Sequence, residues 1–285
     1  MSPAGDDRIR RILVALDASP ESLAALDFAA ELAAGLQVEL AGLFVENVDL
    51  LNLAGLPFAR EVSWLAPTGR TLDPERMAAD LRAQASMARR ALEAAAAALH
   101  LRSSFRILRG QVEAELATAV NETDLLTLGR GERSVRRQAL GRTLRTVSHQ
   151  LPCSVLLAVS VRRAATASVA ALYDLSDCGA GALELAVRIA ARSRRTLLVY
   201  LMAENDADFE AKRNHAAARL AGRDIRVRYA HVHGYGATDL EPALRADDPH
   251  LLVVGCDVAG GMPPEKWIEL ASRAQCPVLL VRGLI

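Results

Sequence analysis

Apolar positions along the chain fall into two alternating patterns, short solid runs and longer stretches of helical period. Residues 11–16 read R-I-L-V-A-L, with charge before them and Asp17 just after. A run this solid is expected of a strand covered on both faces, which has no wet side to alternate with. Ser19 then stands as an N-cap with Pro20 at the first helical position. Leu23, Leu26, Ala30, Ala33 and Ala34 recur at helical spacing up to Gly35, the expected stop. Residues 38–45 read as a second strand. Strand, helix and strand in this order predict a parallel pair with a right-handed crossover.

Residues 47–74 read as one long irregular stretch, broken by Gly55, Pro57, Pro67 and Gly69. Leu50, Leu51, Leu53, Leu56 and Trp64 make it too apolar for a free linker, so it is expected to pack as a lid or interface pad. Beyond it the pattern predicts a helix over 75–100, a strand over 104–108 and a helix over 112–121. A strand over 124–128, a helix over 140–150 and a strand over 154–159 follow.

The pattern then begins again. Ala171-Leu172-Tyr173-Asp174-Leu175-Ser176 echoes Ala15-Leu16-Asp17-Ala18-Ser19, and Leu183, Leu185, Ile189 and Ala190 repeat the helical face behind it. His233-Gly234 answers Arg109-Gly110, the run from His250 to Gly255 answers that from Asp124 to Gly129, and Ala274-Gln275-Cys276 answers Leu151-Pro152-Cys153. With 285 residues, about twice the size of an ordinary domain, the chain reads as two copies of one domain, 1–160 and 167–285, joined by a short linker over 162–166.

Composition narrows the chemistry. Thirty-four basic residues balance thirty-four acidic ones, which argues against a nucleic-acid arm or a polybasic membrane anchor. No apolar run approaches the roughly 18 residues that span a bilayer, so a soluble cytoplasmic protein is expected. Aromatics are only 4% of the chain, which leaves an aliphatic core. Cys153, Cys178, Cys256 and Cys276 lie 25, 78 and 20 positions apart, a spacing of buried thiols more than of zinc ligands or a disulfide framework. The two lysines, Lys212 and Lys266, follow no glycine, which excludes a P-loop. His231 and His233 share one side of a strand end with His250 expected near, but they are read as solvent-facing and no metal is expected. Asp247-Asp248 before Pro249 reads as a turn, and Trp267, Ile268 and Leu270 as the buried side of a helix.

A buried strand ending in Asp, a Ser-rich turn and a helix, followed later by strand, Gly loop, helix, Cys and strand, resembles the universal stress protein family. The resemblance runs over nearly the whole chain as two tandem copies. It implies two five-stranded parallel α/β sheets of order 3-2-1-4-5, an adenine-nucleotide alpha hydrolase-like, Rossmann-like fold. It also implies binding of ATP or AMP, with Mg as the accompanying ion, at the carboxyl ends of the strands, and pairing through the fifth strand. A ligand at that place agrees with the general behaviour of open α/β sheets.

The family signature Gly-x2-Gly-x9-Gly-Ser/Thr falls on Gly129, Gly131 and Gly141. Gly131 and Gly141 keep the x9 interval, whereas Gly129 and Gly131 are one residue too close, and Arg142 precedes the hydroxyl of Thr143. The resemblance assigns Asp17 to the adenosine end and the backbone of Ala15 and Val45 to the base. It assigns Gly129, Arg130, Gly131, Gly141, Arg142 and Thr143 to the phosphates. Glycines let backbone N–H groups approach an anion, and a helix beginning near Gly141 turns its positive end toward it. Arginines 130, 133, 136, 137, 142 and 145 against Glu132 put a net +5 on this loop. A solvated arginine-rich surface is the plainer reading of the loop, as a helix-start carboxylate is of Asp17.

In the second copy Pro264 stands opposite Gly141 and Glu265 opposite Arg142. Proline offers no N–H to a phosphate, the carboxylate repels one, and Gly260-Gly261 is expected to lack a following helix N-terminus at the right distance. The first domain is therefore expected to bind the nucleotide as a regulatory ligand, and the second to serve the pseudo-dimer. A scaffold acting through protein contacts is the alternative, and slow ATP hydrolysis a third reading. No catalytic base stands beside a nucleophile, so an enzyme is not expected. The partners expected are the nucleotide, the chain's own other domain and optionally a second chain, with neither nucleic acid nor membrane.

Overall fold

In the computed structural model the described residues are 9–54, 56, 60–63, 66–71, 73–130, 152–159, 167–234, 237–255 and 264–282. Strand β1 (Arg11–Leu16) lies between β2 (Glu39–Asn47) and β6 (Asp124–Gly129), parallel to both. Strands β5 (Ser103–Gly110) and β7 (Ser154–Ala158) flank them, so the first half has the order 3-2-1-4-5 once a separate hairpin is set aside. The second half repeats that order with β8 (Val169–Leu172), β9 (Leu197–Ala203), β10 (Val227–His233), β11 (Leu251–Gly255) and β12 (Val278–Val281).

The two fifth strands meet. Val278, Leu279 and Leu280 of β12 pair with Leu157, Leu156 and Val155 of β7, the antiparallel contact that joins ten strands into one sheet. The edges that this joint closes are the most apolar ones, because β7 and β12 are buried along nearly their whole length. Left open, a flat apolar edge is a site for unwanted pairing.

Helices cover both faces, which is why the strands are solid runs. On one face lie α1 (Pro20–Leu36), α3 (Pro74–Ala98), α5 (Asp177–Ser193) and α6 (Asp206–Leu220). On the other lie α4 (Val112–Ala119), α7 (Ala237–Asp247) and α8 (Pro264–Arg273). Leu81, Ala85, Ala88, Leu92 and Ala96 form the buried stripe of α3, whose Pro74 start is capped by Asp73 Oδ1 accepting from Glu75 N at 3.0 Å.

Three expectations change. Residues 47–74 are not irregular: α2 (Val48–Ala54) opens behind Asn47, whose Oδ1 accepts from Asp49 N at 2.9 Å. Strands β3 (Arg60–Ser63) and β4 (Ala66–Thr71) then form an antiparallel hairpin. Gly35 does not end α1. The helix continues so that Leu36 is buried, and Gln37 takes the left-handed conformation at φ 59°. A helix also begins at Pro264, three positions after Gly261. The expected helix over 140–150 and the linker over 162–166 lie outside the described residues, as do Cys256 and the side chains of Trp64 and Trp267. Cys153, Cys178 and Cys276 are buried.

Candidate functional site

The crossover from β1 to β2 runs through α1 on one face and that from β5 to β6 through α4 on the other, so the strand order reverses between β1 and β6 and the crevice lies where those two strands end. At the end of β1 the chain turns sharply. Asp17 Oδ1 accepts from Ser19 N at 2.9 Å, Ala18 adopts φ 59°, and Ser19 Oγ accepts from Ser22 N at 3.2 Å to cap α1. Asp17 N donates to Ser22 Oγ at 3.4 Å, and the carboxylate is exposed at the lip of the crevice. An Asx turn of this kind holds a side chain outward while it starts the helix, so the structural and the binding reading of Asp17 are compatible.

Ala15 and Val45 are half-buried on one face of neighbouring strands, where Ala15 pairs with Leu43 and Val45 with Leu108. Gly129 closes β6 opposite Ala158. A Cβ on Gly129 would lie 2.6 Å from the carbonyl oxygen of Glu21, so glycine is required for the first turn of α1 to rest on the strand end. Ala15, Asp17, Val45 and Gly129 thus converge at adjoining strand ends. Gly131, Gly141, Arg142 and Thr143 lie outside the described residues.

Arg130 departs from its expected place. Its backbone N–H donates to Ala158 O at 2.8 Å, and its guanidinium donates to the carbonyl oxygens of Ala271 and Ala274 at the end of α8. The last carbonyls of a helix lack partners within it and carry its negative end, which a guanidinium satisfies on both counts. The side chain expected at a phosphate is engaged with the second half instead.

The second half rebuilds the turn with larger side chains beside it. Asp174 Oδ1 accepts from Ser176 N at 3.1 Å, Leu175 has φ 69°, and Ser176 Oγ accepts from Gly179 N at 2.9 Å. Gly255 closes β11 as Gly129 closes β6, with Cys178 O 2.5 Å from where a Cβ would stand. Asp174 follows Asp17 by 157 positions, and the pairing of Ile12 with Leu40 and Val169 with Leu197 carries that shift through both strands. By the same shift Leu172 replaces Ala15 and Met202 replaces Val45, both buried. The half-buried Ala15 and Val45 thus correspond to larger, buried side chains in the second half.

His231 and His233 meet, but His250 does not join them. The His231 ring, 15% exposed, stacks on Phe209 with centroids 4.8 Å apart and leans on His233 at 3.9 Å, so it is not the solvent-facing residue expected. His250 packs instead on Phe28 of the first half at 5.1 Å. Among the described residues no three His, Cys, Asp or Glu side chains group as metal ligands. Asp247 accepts from the buried Tyr200 hydroxyl at 2.9 Å, and burial pushes that phenol well above its ordinary range. Arg11 holds Asp124 from β1 to β6, with Nε 3.0 Å from Oδ1 and Nη2 2.5 Å from Oδ2. Neither pair stands out in one dimension, since 113 positions separate Arg11 from Asp124 and 47 separate Tyr200 from Asp247.

A model of the Universal stress protein family matches residues 8–158. The chain belongs to the universal stress protein family. Both halves of this universal stress protein follow a fold already known at this length. A universal stress protein from Archaeoglobus fulgidus is 16% identical, with 97% of each chain covered and a TM-score of 0.70. A Pseudomonas aeruginosa protein of unknown function, also 16% identical, has a TM-score of 0.58 over 97% of this chain and 94% of its own. The cytoplasmic domain of a prokaryotic cation chloride cotransporter, 12% identical, has a TM-score of 0.53 over 97% of this chain and 96% of its own. At such identities the likeness concerns the fold, and the fold serves more than one kind of protein. No curated protein matches the chain. Among the described residues no helix is long and apolar enough to cross a membrane.

Proposed function

We propose that this universal stress protein binds an adenine nucleotide, ATP or AMP with Mg, in a first domain of residues 1–160, as a regulatory ligand in the cytoplasm. The observation that carries the reading is the contrast between the halves: beside the exposed Asp17 stand the smaller, half-buried Ala15 and Val45, where the second half has the larger, buried Leu172 and Met202. An adenine ring is flat and apolar on its faces, and two small aliphatic residues on adjoining strand ends suit it. The Asp17 carboxylate is an acceptor for a hydroxyl of the adenosine end. Gly129, Gly131, Gly141, Arg142 and Thr143 supply backbone N–H groups, charge and a hydroxyl for the phosphates. Arg130 contributes through the position of its backbone, because its guanidinium is held by α8. Residues 167–285 form a second domain that has exchanged binding for pairing.

The engagement of Arg130 with the second half favours a second reading, a scaffold without nucleotide, in which the strand ends only carry the joint between domains. Calorimetric titration with ATP and with AMP separates the two. Saturable heat that disappears in Gly141→Pro, the residue of the second copy, is expected. A flat titration at millimolar nucleotide overturns the binding reading.

A further inference from the structure

At the amino ends of the strands, away from the crevice just described, α1 and α5 leave a pocket of about 80 Å³ between the two halves. Its inner wall is apolar, formed by Phe28, Leu32 and Leu36 of α1 and Ile189 of α5. Its outer wall is charged with opposite signs, Glu31 from the first half and Arg195 from the second. The two side chains belong to different halves, so the pocket exists only because the sheet is continuous.

Each wall is fixed. Arg195 Nη1 donates to Ala167 O at 2.8 Å, which orients the planar guanidinium, a group with five donors arranged to hold a carboxylate. Burial weakens the hold of Arg195 on its proton, and the field of Glu31 opposes that shift. The ring of Phe28 is set by His250. Gly35 borders the space, and a Cβ there would meet nothing within 4 Å. A glycine inside a helix is unfavourable against alanine, yet here it leaves the space beside the pocket open.

An anion site would not be faced by Glu31, and a purely apolar site would not be flanked by two charges. We propose that this pocket binds a small apolar α-amino acid of valine or leucine size as its zwitterion. The carboxylate lies on Arg195, the ammonium toward Glu31, and the side chain against Phe28, Leu36 and Ile189. A volume of about 80 Å³ holds roughly five to eight water-sized atoms, room for the branched side chain of valine or leucine with the charged head group at the rim. The site is independent of the nucleotide crevice and joins the two halves, so occupancy also stiffens the seam.

The test is calorimetry and NMR on the full chain with L-leucine and L-valine, beside isovalerate, which lacks the ammonium, and isopentylamine, which lacks the carboxylate. Leucine is expected to bind saturably at millimolar concentration, with both truncated probes weaker by about tenfold or more. Gly35→Leu fills the pocket and is expected to abolish binding while the Tm stays level or rises. Glu31→Gln, an exposed position, is expected to weaken leucine about tenfold without unfolding the chain. Leucine bound no better than isopentylamine or isovalerate, unaltered affinity in Gly35→Leu, or no saturable binding at millimolar leucine each overturns the proposal.

Discussion

Arg130 and Ala274 meet across the seam between the two halves, the guanidinium of one donating to the main-chain oxygen of the other. The same group also serves Ala271 at the end of α8, while Arg192 of α5 donates in the other direction to Gly35 O at 3.1 Å and Gln37 Oε1 at 2.8 Å. Each half thus closes a helix end of the other. Arg130→Ala is expected to cost about 1–2 kcal/mol, read as a lower urea midpoint, because it leaves helix-end carbonyls without their partner. Nucleotide affinity is expected to change by less than about threefold. A large loss of affinity at unchanged stability would return Arg130 to the phosphates.

Thr127 and Val253 hold equivalent places in the fourth strands of the two halves. Thr127 is fully buried, and among the described residues its Oγ1 is the buried side-chain oxygen without a hydrogen-bond partner. Leaving a hydroxyl unsatisfied in an apolar interior is unfavourable, and valine has nearly the same shape. Thr127→Val is expected to stabilise the chain by about 1 kcal/mol, seen as a raised Tm at constant m-value. A lowered Tm would mean that the hydroxyl is satisfied in solution.

Ala15→Leu combined with Val45→Met imports the second half's filling into the first. Since Leu172 and Met202 are accommodated on the same strands, the variant is expected to remain folded and to lose nucleotide binding by about tenfold or more. Isothermal titration beside a denaturation curve checks both parts. Undiminished binding in a folded variant would remove Ala15 and Val45 from the site.

Burial pushes the Cys153 thiol up to about 12 from an ordinary 9.0. A group whose proton is held more tightly in the folded state stabilises fully below its unfolded pKa and loses that contribution as pH rises toward the folded value. Stability from this thiol is therefore expected to be present below pH 9.0 and to fall between there and about 12. Native alkylation at Cys153 is expected to stay slow at pH 8 and to follow global unfolding. Rapid labelling of the native chain at pH 8 would show the thiol to be accessible and ionised.

Much of the fold was legible one dimension at a time. The solid run of β1 has the bounds its pattern predicts, because a strand covered on both faces needs nothing but apolar residues between two polar stops. The repeated Asp-x-Ser turn also marked both β1–α1 and β8–α5, since an N-cap is local chemistry within a few residues. Gly35 misled because a stop signal is weaker than the burial of Leu36 beyond it. The hairpin of β3 and β4 escaped because prolines and glycines read as irregular chain until a partner strand is known.

What the sequence determined by itself is the duplication, the doubly covered parallel strands and the place of Asp17 at the end of the first, all consequences of hydrophobic period and local turn chemistry. The tertiary structure alone decided that Arg130 turns to α8, that Leu172 and Met202 are buried where Ala15 and Val45 are half-buried, and that Glu31 and Arg195 line one pocket. The first and last of those relations depend on the antiparallel joint of β7 with β12, which brings together residues that more than a hundred positions of chain keep apart, and the second on the register of neighbouring strands within each half.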